Sequence, residues 1–199
     1  HRGNSHDGGV AKDAVAEQKV AGLEPAELMG DTAYGGADLR HEMAEDGVTM
    51  VAPAPAEPEK GRTPKSAFTA SLEQKECRCP AGHVTRDYRT DREDGHVKEF
   101  RFAPEICQAC PLREQCLGKR DKGRQVKLHR HETLLRQARA EQKTTEFKER
   151  YRSTRPLVER ANAELKRHGL RKARYLGLEK LDLQAYWTAL GLNLKRLFK

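Results

Sequence analysis

Apolar positions along the chain come in short runs whose spacing changes from one stretch to the next. Val10, Ala14, Val15 and Ala21 keep a partial helical spacing and predict a helix over 10–21, after a polar loop at 1–9. Glu27-Leu-Met-Gly-Asp-Thr-Ala-Tyr-Gly-Gly36 predicts three or four residues of strand, a turn closed by two glycines, and a helix at about 37–46. Val48-Thr-Met-Val-Ala52 is a further strand, so strand, helix and strand make a βαβ-type unit. Prolines at 53, 55 and 58 then lead out of that unit as a stiff linker over 53–66, because none can donate to a sheet.

Beyond the linker the runs shorten. Phe68-Thr-Ala-Ser-Leu72 and Val97-Lys-Glu-Phe-Arg-Phe102 alternate and predict a small β-rich insert over 67–103. Residues 118–150 are rich in Gly, Lys and Arg, then helical, with Leu134, Leu135, Ala138 and Phe147 irregularly spaced. Pro156 suits the first turn of a helix and Gly169 its end. Within it Leu157, Ala161 and Leu165 make an apolar stripe, with Glu159 and Lys166 turned roughly opposite. A last helix, about 180–198, carries Leu183, Tyr186, Trp187, Leu190, Leu194 and Leu197 as an amphipathic stripe, expected to be core.

Composition limits the size of that core. Of 199 residues 36% are hydrophobic and 34% charged, enough for one domain with an insert or two small ones. No apolar run reaches the ~18 residues of a membrane span and no signal-peptide pattern opens the chain, so a soluble cytoplasmic protein is expected. The chain starts at His1, and its first residues read as mid-domain sequence of a fragment. Net charge is +8 but unevenly spread. Residues 1–60 hold 5 basic and 12 acidic side chains, giving −7; residues 117–199 hold 23 and 9, giving +14. Such asymmetry points to a polyanion partner for the C-terminal part, against the plainer alternative of a merely soluble basic surface.

All five cysteines fall between 77 and 116: Cys77-Arg-Cys-Pro-Ala-Gly-His83, then Cys107-Gln-Ala-Cys-Pro-Leu-Arg-Glu-Gln-Cys116. A C-x-x-C turn opposed by distant ligands closes tetrahedral zinc sites, and so short an insert is expected to need a staple. Cys79, Cys107, Cys110 and Cys116 are the expected Zn2+ ligands, with Cys77 and His83 as alternates for one position. A disulfide pair or a redox C-x-x-C are the competing readings, though a cytoplasmic setting disfavours disulfides.

Two further residues carry candidate chemistry. Asp31 ends a strand beside a turn, where α/β folds expose catalytic groups, although an ordinary turn aspartate reads the same way. Glu159 sits on a rigid basic helix one turn after Arg155, which by itself reads as a solvated i,i+4 pair.

The spacing Arg155-x3-Glu159-x6-Lys166 resembles that around the last acidic residue of DDE-type insertion-sequence transposases. Arg174-Tyr-Leu-Gly-Leu-Glu-Lys180 and Asn193-Leu-Lys-Arg196 are similar to the continuation in one branch of that family. Gly30-Asp-Thr-Ala-Tyr-Gly35 resembles the segment around its second aspartate, and the C-P-x-G and C-x2-C-P-L-R-x2-C runs also occur in that branch. The family's tyrosine often stands three residues before the arginine, whereas Tyr151 stands four before Arg155.

The resemblance implies an α/β chain: a partial ribonuclease-H-like core at 1–55, a zinc-stapled β-rich insert at 56–125, and C-terminal core helices at 126–199. It implies that Asp31 and Glu159 bind a pair of Mg2+ or Mn2+ ions for cleaving and joining double-stranded DNA, at element ends and target. Arg155, Lys166, Arg167, Arg171, Lys172 and Arg174 would contact phosphates. A bacterial, nucleoid-associated setting and a homodimer in the DNA complex are compatible with it. The Gly3-Asn-Ser-His-Asp7 run is similar to one that follows the family's first aspartate. That acid is therefore expected upstream of His1, and this polypeptide alone is expected to be weak or inactive. The alternative is a non-enzymatic, zinc-stapled DNA-binding remnant.

Overall fold

A computed structural model describes residues 7–57, 61–90 and 97–198. Residues 1–6 of the loop expected over 1–9 lie outside them, and its last three residues belong to helix α1 (Asp7–Val20). The chain divides into two compact units. One spans Glu24–Glu141; the other holds α1 and the C-terminal helices.

The Glu24–Glu141 unit opens with the expected βαβ element. Strand β1 (Glu27–Met29) pairs in parallel with β2 (Thr49–Val51), Leu28 opposite Met50, and α2 (Ala37–Glu45) connects them. Asp38 in the first turn of α2 complements the helix dipole, and Gly47, at φ +74°, turns the chain back into β2. Helix α2 buries Ala37, Leu39, Arg40 and Met43 and packs on β2.

Two antiparallel three-stranded sheets follow. One is β3 (Thr69–Ser71), β4 (Glu76–Arg78) and β5 (Val84–Thr85). The other is β6 (Tyr88–Thr90), β7 (Val97–Arg101) and β8 (Gln125–His129), with the short helices α3 (Pro104–Gln108) and α4 (Arg113–Cys116) between β7 and β8. Strand β8 lies where the charged spacing predicted loop and helix. Its Gln-Val-Lys-Leu-His alternation puts Val126 and Leu128 inward, Val126 opposite Phe100.

These strands enclose Phe68, Cys77, Phe100, Phe102, Val126 and Leu128, all buried. Burial of one such large apolar side chain contributes about 1.5–3 kcal/mol. The insert therefore shares a hydrophobic core with β8, where the sequence led to the expectation of little core.

Helix α5 (Glu132–Glu141) closes the unit against α2, with Ala37, Ala54, Leu135 and Ala138 between them. Its first residue, Glu132, is only 4% exposed. It accepts from Lys65 Nζ at 2.6 Å, Arg139 at 3.0 Å and the His129 N–H at 3.2 Å. Arg139 also donates to Pro55 O and Glu57. One buried carboxylate thus ties the linker, the end of β8 and α5 together.

In the other unit, α6 (Thr145–Leu165) begins eleven residues before the expected start, because the Thr144 hydroxyl caps it by accepting the Phe147 N–H at 3.2 Å. Pro156 is internal rather than in the first turn. Its fixed φ is helical, so the helix continues through it at the cost of one backbone bond, about 3 kcal/mol. The last turn, Lys166–Leu170, widens and stops at Gly169, whose φ of +126° suits glycine alone.

Helix α7 (Leu178–Leu197) follows with its expected apolar stripe turned outward, whereas in the α6 stripe Ala161 and Leu165 are half-buried and Leu157 is open. Leu157 is 57% exposed, Tyr186 70% and Trp187 63%, so the α7 aromatics are not core. The covered face of α7 is instead Leu181, Gln184, Ala185, Thr188 and Leu192. No helix among the described residues is long and apolar enough to cross a membrane.

Candidate active site

Asp31 stands two residues beyond the end of β1. Gly30 prolongs the pairing by donating to Val51 O, and Asp31 then caps a single 3-10 turn, Thr32–Tyr34, by accepting the Ala33 N–H on Oδ1 at 2.8 Å. Two of the glycines around it, Gly30 and Gly35, are sites of close approach. A Cβ on Gly30 would meet the Tyr34 side chain at 2.8 Å, and one on Gly35 would lie 1.9 Å from Pro53 O. Buried Arg40 locks the turn from below by donating to Gly35 O at 3.1 Å and to Ala52 O. The result is an exposed carboxylate on a rigid turn at the C-terminal edge of the parallel pair.

Glu159 is carried by α6 in the other unit. Tyr151, Arg155 and Glu159 follow one another at four-residue steps along one face. Arg155 Nε donates to Glu159 Oε1 at 2.8 Å, and Arg155 also donates to the Tyr151 hydroxyl. Tyr151 stacks in turn on Phe147, ring centroids 5.8 Å apart. The bond to Glu159, then Tyr151, raise the Arg155 pKa above its usual value. A tyrosine four residues before the arginine is therefore in register with it, since i and i+4 share a helix face.

Lys166, Arg167, Arg171, Lys172 and Arg174 are all exposed around the end of this helix. Buried Gln184 holds their segment in place. It accepts the Arg174 N–H at 2.9 Å and donates to Gly169 O at 2.7 Å and Lys172 O at 3.0 Å.

Four cysteines line one small cavity. Cys79, Cys107, Cys110 and Cys116 share it with His83, under Phe68 and Phe102. All five cysteines are free thiols. Burial pushes the Cys116 thiol up; nearby Arg124 opposes this, and the sulfurs of Cys107, Cys79 and Cys110 reinforce it. Cys77 instead points into the β core, fully buried, and burial raises its pKa to about 11. Raised thiols are poor nucleophiles, so the redox reading has no activated cysteine in Cys77 or Cys116.

Sulfur donors suit zinc in kind and number. In this arrangement they line the cavity without closing on a point: among the described residues no three or more His, Cys, Asp or Glu side chains are placed to hold a metal ion. Asp31 belongs to the Glu24–Glu141 unit and Glu159 to the other.

Arg40 and Gln184 escaped the sequence reading. Both had a signal, a polar residue at a stripe position of its helix: Arg40 between Ala37 and Met43, Gln184 between Leu181 and Thr188.

A family model described as "Transposase DDE domain" matches residues 78–198, which include Glu159, the basic segment and all four cavity cysteines. No curated protein and no solved structure matches the chain.

Proposed function

The chain belongs to the transposase DDE domain family, and from that membership we propose that it carries two of the acids with which an insertion-sequence transposase cuts and rejoins double-stranded DNA. Domains of this family act on DNA with divalent metals such as Mg2+. The observation that supports the reading most is Glu159, exposed on α6, braced by Arg155 and followed by five exposed cations.

A bound Mg2+ or Mn2+ pair supplies the activated water or 3′-hydroxyl and neutralises the leaving oxygen. This chain's own residues do the rest. Asp31 and Glu159 offer hard carboxylate oxygens, Asp31 with Oδ2 beyond its capping bond. Arg155 fixes the rotamer of Glu159. Lys166, Arg167, Arg171, Lys172 and Arg174, on a segment clamped by Gln184, place phosphates by charge-assisted contacts. We read the cysteine cavity as a structural zinc staple, on the strength of four thiols around one small space. Cytoplasmic, nucleoid-associated action in a bacterium, by a homodimer on DNA, is consistent with this function.

Mn2+ binding in the presence of duplex DNA, followed by electron paramagnetic resonance, tests the reading. Asp31→Asn and Glu159→Gln are each expected to weaken it tenfold or more. Unchanged binding in both variants would leave the second reading, a non-catalytic DNA-binding protein. The exposed i,i+4 geometry of Arg155 and Glu159, common on any surface helix, favours that alternative.

A further inference from the structure

The insert carries a second cationic feature, remote in sequence from the helical segment. Gly118-Lys-Arg-Asp-Lys-Gly-Arg124 holds four basic residues and one acidic residue, a net +3 in seven positions. Such a loop would ordinarily be a mobile solvated run. Here it is restrained almost entirely through its backbone, Asp121 and Arg124. Asp121 accepts from Gly118 N at 3.1 Å and from Arg62 at 2.7 Å, and its own N–H returns to Gly118 O at 3.0 Å. Gln108 donates to Lys122 O at 2.6 Å. The Arg124 guanidinium reaches Cys116 O at 3.0 Å and Thr63 O at 2.7 Å, while Arg124 O accepts the Phe102 N–H at 2.9 Å.

Both glycines are sites of close approach. A Cβ on Gly118 would lie 2.2 Å from the Arg62 guanidinium, and one on Gly123 2.5 Å from Phe102 O.

Those restraints leave three cations over. Lys119, Arg120 and Lys122 are exposed, and among the described residues none makes an ion pair or side-chain hydrogen bond. The loop's single carboxylate is already neutralised by Arg62. Alongside runs a groove of about 640 Å³ lined by Arg62, Arg101, Arg120, Lys122 and Arg124, with Asp87 and Asp121 as its acids.

We propose that the loop Gly118–Arg124 is a DNA-backbone contact of the insert, a pre-ordered grip on the phosphates of a duplex that is separate from the cations at the end of α6. The proposal rests on the DNA-binding reading above and adds a second site to it. A loop ordered in the folded protein loses little conformational freedom on binding, so more of each contact appears as affinity. Phosphate contacts carry no sequence information, so this surface adds affinity and orientation rather than specificity. Each neutralised phosphate releases counterions, which gives the site a measurable signature.

Fluorescence anisotropy of the whole chain on two unrelated 30-base-pair duplexes, across 50–200 mM KCl, is the test. The variant K119A/R120A/K122A should bind both duplexes roughly tenfold to a hundredfold more weakly at the upper salt. The slope of log affinity against log salt should shrink by about 2–3. Gln at the same three positions, which keeps the loop polar, should reproduce the loss, and thermal melting should be unchanged in both variants. If the chain binds DNA and neither variant changes affinity or slope, the loop is a solvated face; the inference fails and the DNA reading stands. If the unaltered chain shows no salt-dependent DNA binding, both fail.

Discussion

Gln184 and Arg174 are joined across ten residues by one hydrogen bond, the buried carboxamide oxygen of α7 accepting the Arg174 N–H at 2.9 Å. The amide of the same side chain donates to two carbonyls, so a single polar residue shapes the whole basic segment. Gln184→Ala leaves three backbone groups without these partners and is expected to cost about 1–3 kcal/mol. Denaturant titration gives the energy and hydrogen exchange gives the place: the Arg174 amide should exchange far faster. Unaltered exchange there would mean that the segment is held by something else.

Glu132 should make stability depend on acid. Burial alone would push its carboxyl up, but the bonds from Lys65, the His129 N–H and Arg139 outweigh burial and hold the pKa below the usual carboxylate value. A carboxyl depressed in the folded state adds stability above its unfolded pKa, and that stability is lost as pH falls through the folded value. Melting temperatures between pH 7 and 3 should therefore fall more steeply for the native chain than for Glu132→Gln. At pH 7 the variant should be less stable by about 1–3 kcal/mol, since half-buried Lys65 loses its carboxylate partner while Arg139 keeps Glu57. Parallel pH curves would contradict this.

Gly35 tolerates no side chain. Its added Cβ would meet Pro53 O, a backbone atom that cannot swing aside. Gly35→Ala is expected to destabilise the turn bearing Asp31 by about 1–3 kcal/mol, as overpacking does. Gly36→Ala, where a Cβ meets nothing, is the control and should be near neutral. Equal melting temperatures for the two variants would refute the close approach.

Cys77 should differ from the other cysteines in reactivity. It is fully buried with its pKa raised to about 11, whereas the four around the cavity are partly exposed. Alkylation at pH 8 followed by mass spectrometry should label Cys77 last, and all five rapidly in denaturant. If the zinc reading is right, added Zn2+ protects Cys79, Cys107, Cys110 and Cys116 together. Protection of none of them would remove zinc from the picture.

Sequence and structure agree best where contacts are local. The turn around Asp31, the helix of α2 and the stop at Gly169 follow from glycine placement and i,i+4 spacing, and the structure keeps all three. Strand β8 was hidden because its alternation is only five residues long and sits in a charged stretch that reads equally well as loop. The start of α6 was misplaced because a proline is tolerated at the first turn and, at higher cost, inside a helix; only the Thr144 cap distinguishes the two.

Which residues share a face, and where the backbone must turn, could be read from the chain because both depend on local dihedral angles and fixed periodicities. Which face is covered was decided by tertiary structure alone. The Trp187 side of α7 is left open and its Gln184 side covered, the reverse of what the longer apolar stripe predicts, because the Gln184 side chain satisfies three backbone groups of the segment it packs on and Leu181, Ala185 and Leu192 are covered beside it. The same holds for the cysteines: spacing grouped them, but only the packing of the two sheets drew Cys77, on the central strand β4 of one, into the core and left the other four around one cavity. Burial depends on partners far away in the chain, and no local pattern specifies them.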